Sequence, residues 1–272
     1  MTDQSAASLL AVALEGAREA AAFIRSAAPR VREIAWQEKT ATDFVSEIDL
    51  GAEQRIIAAV RRHLPDAGIL AEETATTITP ERQRDGVVFV IDPLDGTTNF
   101  LHGYPEYAVS IGVLRDGALA AAVVIDVPGN EEFTATAGGG AFLNGERIAV
   151  STTTNPQRAL IGTGFPFKNP ADIAPYQAQM SRVMAGVSGV RRPGAAAIDL
   201  ASVACGRFDA FWETMLSPWD IAAGILLVRE AGGVVTDDTG SDIAVGHTGI
   251  VAGNFAMHEW LLRTITSSST SS

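Results

Sequence analysis

A chain of 272 residues with 47% hydrophobic and 19% charged side chains can bury a large core, which excludes a disordered protein. A net charge of −12 argues against nucleic acid as a partner, since a phosphate backbone needs a basic patch, and no apolar run approaches the roughly 18 residues of a membrane span. Cys205 is the only cysteine; it excludes an internal disulfide and a multi-cysteine zinc site, and its Ala-rich surroundings read as a buried structural thiol.

The N-terminus MTDQSAASLL has no basic residue ahead of its apolar ones, which predicts no secretory leader and a cytoplasmic address. Leu10, Leu14, Ala17, Ala21 and Ile24 then recur at helical spacing before Pro29. A second helix is predicted over Leu50–Leu64, with Ile56, Ile57 and Val60 inward, and the polar KTATDFVSEID before it reads as a loop or short hairpin. Gly68–Ala71 and Val87–Ile91 are strand-like and each runs directly into acids, Glu72-Glu73 and Asp92.

From Glu106 to Val150 the pattern is β-rich, with Asp116-Gly117 and Asn144-Gly145 as hairpin turns. The second half alternates strand and helix: Leu160–Thr163, Ile173–Met184, Val187–Val190, Ala195–Cys205, Phe208–Trp212, Ile221–Ala231 and Gly233–Thr236. Such alternation predicts an α/β layered core. We expect one domain over residues 1–266, with subregions at about 1–150 and 151–266, and the polar tail 267–272 to be disordered.

The segment Val90-Ile91-Asp92-Pro93-Leu94-Asp95-Gly96-Thr97-Thr98-Asn99-Phe100 carries the most chemistry. A strand that stops at Asp92, a turn fixed by Pro93 and the return of a carboxylate at Asp95 can point both acids into one space. That suits a hard cation such as Mg2+, with the Leu94 carbonyl as a further oxygen ligand. Gly96, Thr97 and Thr98 can open a helical turn whose free N–H groups face a phosphate. Bound divalent cations would also reconcile an acidic chain with an anionic substrate.

This segment resembles the first signature of the inositol monophosphatase family, Mg2+-dependent and lithium-sensitive sugar and nucleotide phosphatases. Trp219-Asp220-Ile-Ala-Ala-Gly224 is similar to the family's second signature, Gly-Ile-Leu-Ala-Glu72-Glu73 to its glutamate segment, and Thr42-Asp43-Phe-Val-Ser-Glu-Ile-Asp49 to its water-activating segment. The resemblance covers nearly the whole chain and implies an αβαβα five-layered sandwich and a homodimer. It also implies that Glu72, Asp92 and the Leu94 carbonyl hold one Mg2+, and Asp92, Asp95 and Asp220 a second. Glu72 would help with a weaker third. Asp49, with Thr97, would position and deprotonate the attacking water.

For the substrate, Gly96 and Thr97 would meet the phosphate, while Gly194, Ala195, Ala196 and Glu213 would meet hydroxyls. Many members have Ser or Thr where this chain has Ala195, which leaves backbone N–H contacts there. Lys39, Arg191 and Arg192 are candidates for an anionic substrate arm, and Lys168 and Tyr176 belong to rim loops. His63, His102, His247 and His258 show no ligand spacing and read as surface or capping residues; Trp36 and Tyr104 are candidates for the mouth of the site.

The resulting expectation is a phosphomonoesterase acting on a small polyol or sugar phosphate, inositol 1-phosphate first, with fructose 1,6-bisphosphate, histidinol phosphate and 3′-phosphoadenosine 5′-phosphate as alternatives. Haloacid dehalogenase-type phosphatases also carry an Asp pair before Gly-Thr, but with the acids two residues apart rather than three. A relative that binds metal or a protein partner without catalysis is the non-enzyme alternative.

Overall fold

The computed structural model describes residues 5–34, 36–40, 43–74, 85–167 and 169–267. Its first element, α1 (Ala6–Ala27), begins where the Ser5 hydroxyl accepts from the Ser8 amide at 3.3 Å, satisfying a donor that has no partner inside the helix. The buried stripe runs through Leu9, Ala13, Ala17, Ala20, Ala21 and Ile24, so Leu10 and Leu14, expected inward, form its half-buried border. Small residues let α2 (Glu47–His63) approach closely: a Cβ on Gly16 would lie 3.3 Å from the Ile56 Cα.

The stretch before α2 is a hairpin of β1 (Trp36–Thr40) and β2 (Asp43–Ser46). Its last residues enter the helix, which starts at Glu47 rather than Leu50 because Ser46 and Asp49 close a capping box on it. Asp49 therefore sits on a rigid first turn, not in a loop.

A seven-stranded sheet follows in the order β3 (Gly68–Ala71), β4 (Val87–Asp95), β5 (Ala108–Arg115), β6 (Ala118–Asp126), β7 (Glu131–Thr136), β8 (Gly140–Leu143) and β9 (Glu146–Arg147). Only the β3–β4 pair is parallel. Asp116-Gly117 turns β5 into β6 with φ of 51° and 80°, and Asn144-Gly145 turns β8 into β9 with 51° and 82°, the double left-handed geometry for which those pairs are suited.

The second half supplies a five-stranded sheet, in the order β11 (Gly189–Arg191), β10 (Leu160–Thr163), β12 (Ala210–Leu216), β14 (Thr248–Gly253) and β13 (Val234–Thr236). Its helices are α4 (Ile173–Met184), α5 (Ala196–Ala204), α6 (Pro218–Glu230) and α7 (Phe255–Thr266); the short α3 (Thr97–Leu101) follows β4. The strand expected at Val187–Val190 forms two residues later, and the strand expected to end at Trp212 continues to Leu216. β14 and α7 lie beyond the last element read from the sequence.

The layers stack α/β/α/β/α. The helices α1 and α2 share one core with the outer face of the seven-stranded sheet, α5 and α6 fill the space between the two sheets, and α4 and α7 cover the far face of the five-stranded sheet. This is a mixed α/β layered fold of the expected kind. No helix of the described residues is long and apolar enough to cross a membrane.

The seam between α6 and the seven-stranded sheet positions Asp220, and Gly112 sets its closeness. A Cβ there would lie 2.6 Å from the Ala222 Cβ and 2.9 Å from its carbonyl carbon. Backbone cannot yield as a side-chain tip can, so Gly112→Ala is expected to cost about 1–3 kcal/mol by overpacking. Thermal unfolding should show it as a midpoint lower by roughly 2–4 °C per kcal/mol in a chain of this size. An unchanged midpoint would mean that α6 is free to shift.

Candidate active site

Along an undisturbed strand Asp92 and Asp95, an odd number of residues apart, would point to opposite faces. The strand does not stop at Asp92 as expected but runs on through Pro93 to Asp95. Asp92 pairs with Ser110 and Asp95 with Ala108, so three steps on β4 match two on β5 and the strand carries a one-residue bulge at Pro93-Leu94. The bulge restores the phase and brings both carboxylates to one side. Proline fits there because a bulge needs no ladder donor.

Each acid is oriented by a backbone amide. Leu94 N donates to Asp92 Oδ1 at 3.0 Å, Ala197 N donates to Asp95 Oδ2 at 2.7 Å, and Ser217 N donates to Asp220 Oδ2 at 2.7 Å. Asp220 is the third residue of α6 and closes a capping box with Ser217, with Pro218 at the helix start. Capping and membership of the acid cluster are thus one geometry. Ser46 N and Oγ hold Asp49 Oδ2 at 2.8 and 2.6 Å, leaving Oδ1 to accept from Thr97 Oγ1 at 2.8 Å. Thr97 Oγ1 also lies 3.0 Å from the Leu94 carbonyl oxygen.

The electrostatics are those of a crowded set of buried acids. Burial, then the charges of Glu72, Asp95 and Asp220, push the Asp92 carboxyl well above the usual range. Asp95 is raised likewise, by burial first and by Asp220 next, against the opposing Ala197 amide. Burial also raises Asp49, more than the hydrogen bonds from Ser46 and Thr97 lower it. Glu72 stands in the turn after β3 and Glu73 beside it gives its amide to Glu53 Oε2 at 2.9 Å.

These oxygens match the donor set of a hard divalent cation: carboxylates and one backbone carbonyl, no nitrogen or sulfur. Among the described residues, no three His, Cys, Asp or Glu side chains are already gathered into a group able to hold an ion as they stand. The fit therefore lies in donor chemistry and in the fixed backbone anchors. Side-chain rotation about those anchors would have to complete it.

Gly96 has φ 90°, and a Cβ on it would lie 2.8 Å from the Glu106 carbonyl oxygen, so only glycine lets α3 start there. Beside Asp95 and Asp220 opens a cleft of about 150 Å3 whose wall includes Gly194, Ala196 and Glu213. Ala195 is buried at the head of α5 with no side-chain cap, which confines any polar contact there to backbone. Glu213 lies inside β12, not at its end; its carboxylate fills the space that a Cβ on Gly164 would take, and a bulge at Thr214-Met215 follows it.

Several contributors carry no sequence signal. Asn99 Nδ2 donates to the Glu106 and Pro193 carbonyls at 2.8 and 3.0 Å and ties α3 to the loop before α5. Asp199, buried on α5, has an Oδ1 without a hydrogen bond among the described residues, and burial, then the charge of Glu213, raise its carboxyl well above the usual range. Arg191 and Arg192 are both exposed, and Arg192 lines the cleft. Trp36 and Tyr104 are about half exposed, at 49% and 51%. The side chain of Lys39 and all of Lys168 lie outside the described residues.

The remaining expectations divide. His102 caps α3 through the Thr98 carbonyl at 2.9 Å, His63 meets Glu15 at 2.9 Å and His247 packs edge-on against Trp219, but His258 is buried and pairs with Thr236 Oγ1 at 2.9 Å. Cys205 is half-buried, and burial raises its thiol, as suits an unreactive group.

A sequence profile of the inositol monophosphatase family matches residues 5–270. The chain belongs to that family. It is 48% identical over 94% of its length to the Nus factor SuhB of Pseudomonas aeruginosa, 95% of which is covered. It is 40% identical to the inositol-1-monophosphatase of Mesorhizobium japonicum, covering 94% of this chain and 96% of that one. The crystal structure of the extragenic suppressor protein suhB from Bartonella henselae superposes with a TM-score of 0.90 at 39% identity, over 96% of this chain and 99% of the other. Membership supports phosphatase activity and a phosphorylated small-molecule substrate, and family members are generally Mg2+-dependent.

Proposed function

We propose that this chain hydrolyses a small polyol or sugar phosphate monoester, inositol 1-phosphate first among them, in a Mg2+-dependent reaction. The observation that carries the reading is the mutual electrostatic influence of Glu72, Asp92, Asp95 and Asp220, brought from three separate segments to one buried place. Such a cluster is costly without cations, because burial and repulsion both oppose its ionisation.

Glu72, Asp92, the Leu94 carbonyl, Asp95 and Asp220 would hold two Mg2+ ions, with Glu72 contributing to a third. When bound, Mg2+ would supply positive charge that neutralises the acids, binds the phosphate and lowers the pKa of a water. Thr97 has one hydroxyl proton to share between Asp49 Oδ1 and the Leu94 carbonyl, so its lone pairs are left to accept from a water. That water's oxygen bonds to phosphorus, the bond to the leaving oxygen breaks, the water's proton passes to Asp49, and the leaving oxygen regains a proton from solvent. The Gly96 and Thr97 amides would steady the phosphate, while the backbone at Gly194, Ala195 and Ala196 and the Glu213 carboxylate would meet the hydroxyls.

The test is a Mg2+ assay across inositol 1-phosphate, fructose 1,6-bisphosphate, histidinol phosphate and 3′-phosphoadenosine 5′-phosphate. Silence on all four would leave a non-catalytic relative, and a trapped aspartyl phosphate would replace direct water attack with a covalent route. Thr97→Val is expected to lower kcat by roughly 10²-fold with KM little changed, since the lost hydroxyl orients the nucleophile and not the ground-state substrate. A change confined to KM would move Thr97 to substrate binding. Homodimeric assembly, a cytoplasmic address and inhibition by lithium complete the reading; sizing chromatography, fractionation of the source cells and a LiCl titration address them in turn.

The 48% identity to a protein named as a Nus factor supports a second reading, a role with a transcription partner. With a net charge of −12 the partner would be protein before nucleic acid. Binding to purified transcription complexes, retained by a catalytically dead Asp95→Asn variant, would separate this role from hydrolysis.

A further inference from the structure

Glu53 lies on α2 four residues after Asp49, so the two carboxylates share one face of the helix a single turn apart, and both are 1% exposed. Like charges at that spacing destabilise a helix, and burial adds to the cost. Asp49 has its capping box and Thr97 to hold it there. Glu53 has neither, and among the described residues it forms no ion pair.

Both of its oxygens go instead to the turn after β3. Oε2 accepts from the Glu73 amide at 2.9 Å, and Oε1 accepts from the Thr74 hydroxyl. That turn opens with Glu72, whose own amide donates to the Ile91 carbonyl of β4 at 3.2 Å. The two amides bracket one Cα. Because each peptide is planar, holding the Glu72 and Glu73 amides fixes both soft dihedrals of Glu72, and with them the direction in which its side chain leaves the backbone. One of these holds comes from β4 and the other from Glu53.

The same helix reaches the site at two points. β3 and β4 run parallel with Ala71 and Ile91 as their last pair, so Glu72 and Asp92 follow from neighbouring positions. Asp49 meets Thr97, which meets the Leu94 carbonyl on β4, while Glu53 meets the turn after β3.

We propose that Glu53 is a positioning residue: by holding the turn that bears Glu72 it aims the Glu72 carboxylate toward Asp92, in register with Asp49 on the same helix. This rests on the Mg2+-dependent reading above and deepens it. Glu53 acts through Glu72 and not on the ion.

The experiment is a double-mutant cycle on Mg2+ affinity, read by calorimetry with Mg2+ alone and no substrate. In the wild-type background Glu53→Ala should weaken binding by about 10- to 100-fold, the loss usual for residues that orient a metal ligand. In a Glu72→Gln background the same change should cost under about threefold, because the group it aims is already gone. Glu53→Gln should stay within about threefold of the wild type, since its amide oxygen can accept from Glu73 and its NH2 can donate to the Thr74 hydroxyl. Thr74→Val removes one of the two holds and should fall between, and the cycle is run with it if Glu53→Ala does not fold.

Equal losses in the two backgrounds, no loss in either, or a Gln variant as weak as the Ala one overturns the positioning role. Additive losses in a chain that hydrolyses phosphate esters would sink that role alone. The expected cycle in a chain that hydrolyses none supports the role and sinks only the hydrolase reading, whereas a wild type that binds no Mg2+ overturns both.

Discussion

Asp95→Asn is expected to lower Mg2+-dependent kcat/KM by about 10³-fold while leaving the chain folded. Asparagine has the same shape, and its amide oxygen can still accept the Ala197 amide that now binds Asp95 Oδ2 at 2.7 Å, so the head of α5 keeps its anchor. What disappears is the charge. Removing one partner of a buried charge pair costs about 3–5 kcal/mol, which corresponds to roughly 10²–10⁴ in rate. The same change relieves the repulsion between Asp95 and Asp220, so in chelator the variant should unfold at or above the wild-type midpoint. Near-normal turnover would remove Asp95 from the metal-holding set. A lower midpoint in chelator would show that its negative charge serves the fold rather than the chemistry.

The second large effect is on stability against pH. Asp49, Asp92, Asp95 and Asp199 are all raised by burial, in the last three cases well above the usual range. Unfolded carboxyls titrate near 3.9. Above that, and up to the raised folded values, the folded chain holds more protons than the unfolded one, and stability falls as pH rises. In chelator the unfolding midpoint should therefore drop between pH 5 and pH 8, each kcal/mol appearing as about 2–4 °C.

Mg2+ should reverse most of the loss, because it binds the deprotonated acids and stabilises only the folded state. The gap between the Mg2+ and chelator curves should widen with pH. Asp199→Asn should flatten the slope that remains in Mg2+, since Asp199 is not among the proposed ligands. A midpoint indifferent to both pH and Mg2+ would mean that the acids are neutralised by some other means.

Much of the fold was legible because it rests on local chemistry. The helical stripe of α1, the Asp-Gly and Asn-Gly turns, the span of α4 and the strand-to-acid junction at Glu72 each follow from residues within a few positions of one another. Element ends were less legible where a cap overrides the apolar pattern, as Ser46 and Asp49 do when they start α2 ahead of Leu50. Strand phase was not legible at all: the bulge at Pro93-Leu94 shows only against β5, and the one after Glu213 only against β14.

The sequence by itself determined which residue types carry the chemistry, since hard-cation acids, a proline-marked turn and a glycine able to take positive φ are written in the chain. Only the tertiary structure decided which oxygens face one another, that backbone amides of Leu94, Ala197 and Ser217 aim them, and that Glu53 on α2 holds the turn bearing Glu72. The reason is physical. Hydrogen-bond direction acts over a few ångströms between groups that can be a hundred residues apart, and no local pattern encodes that separation.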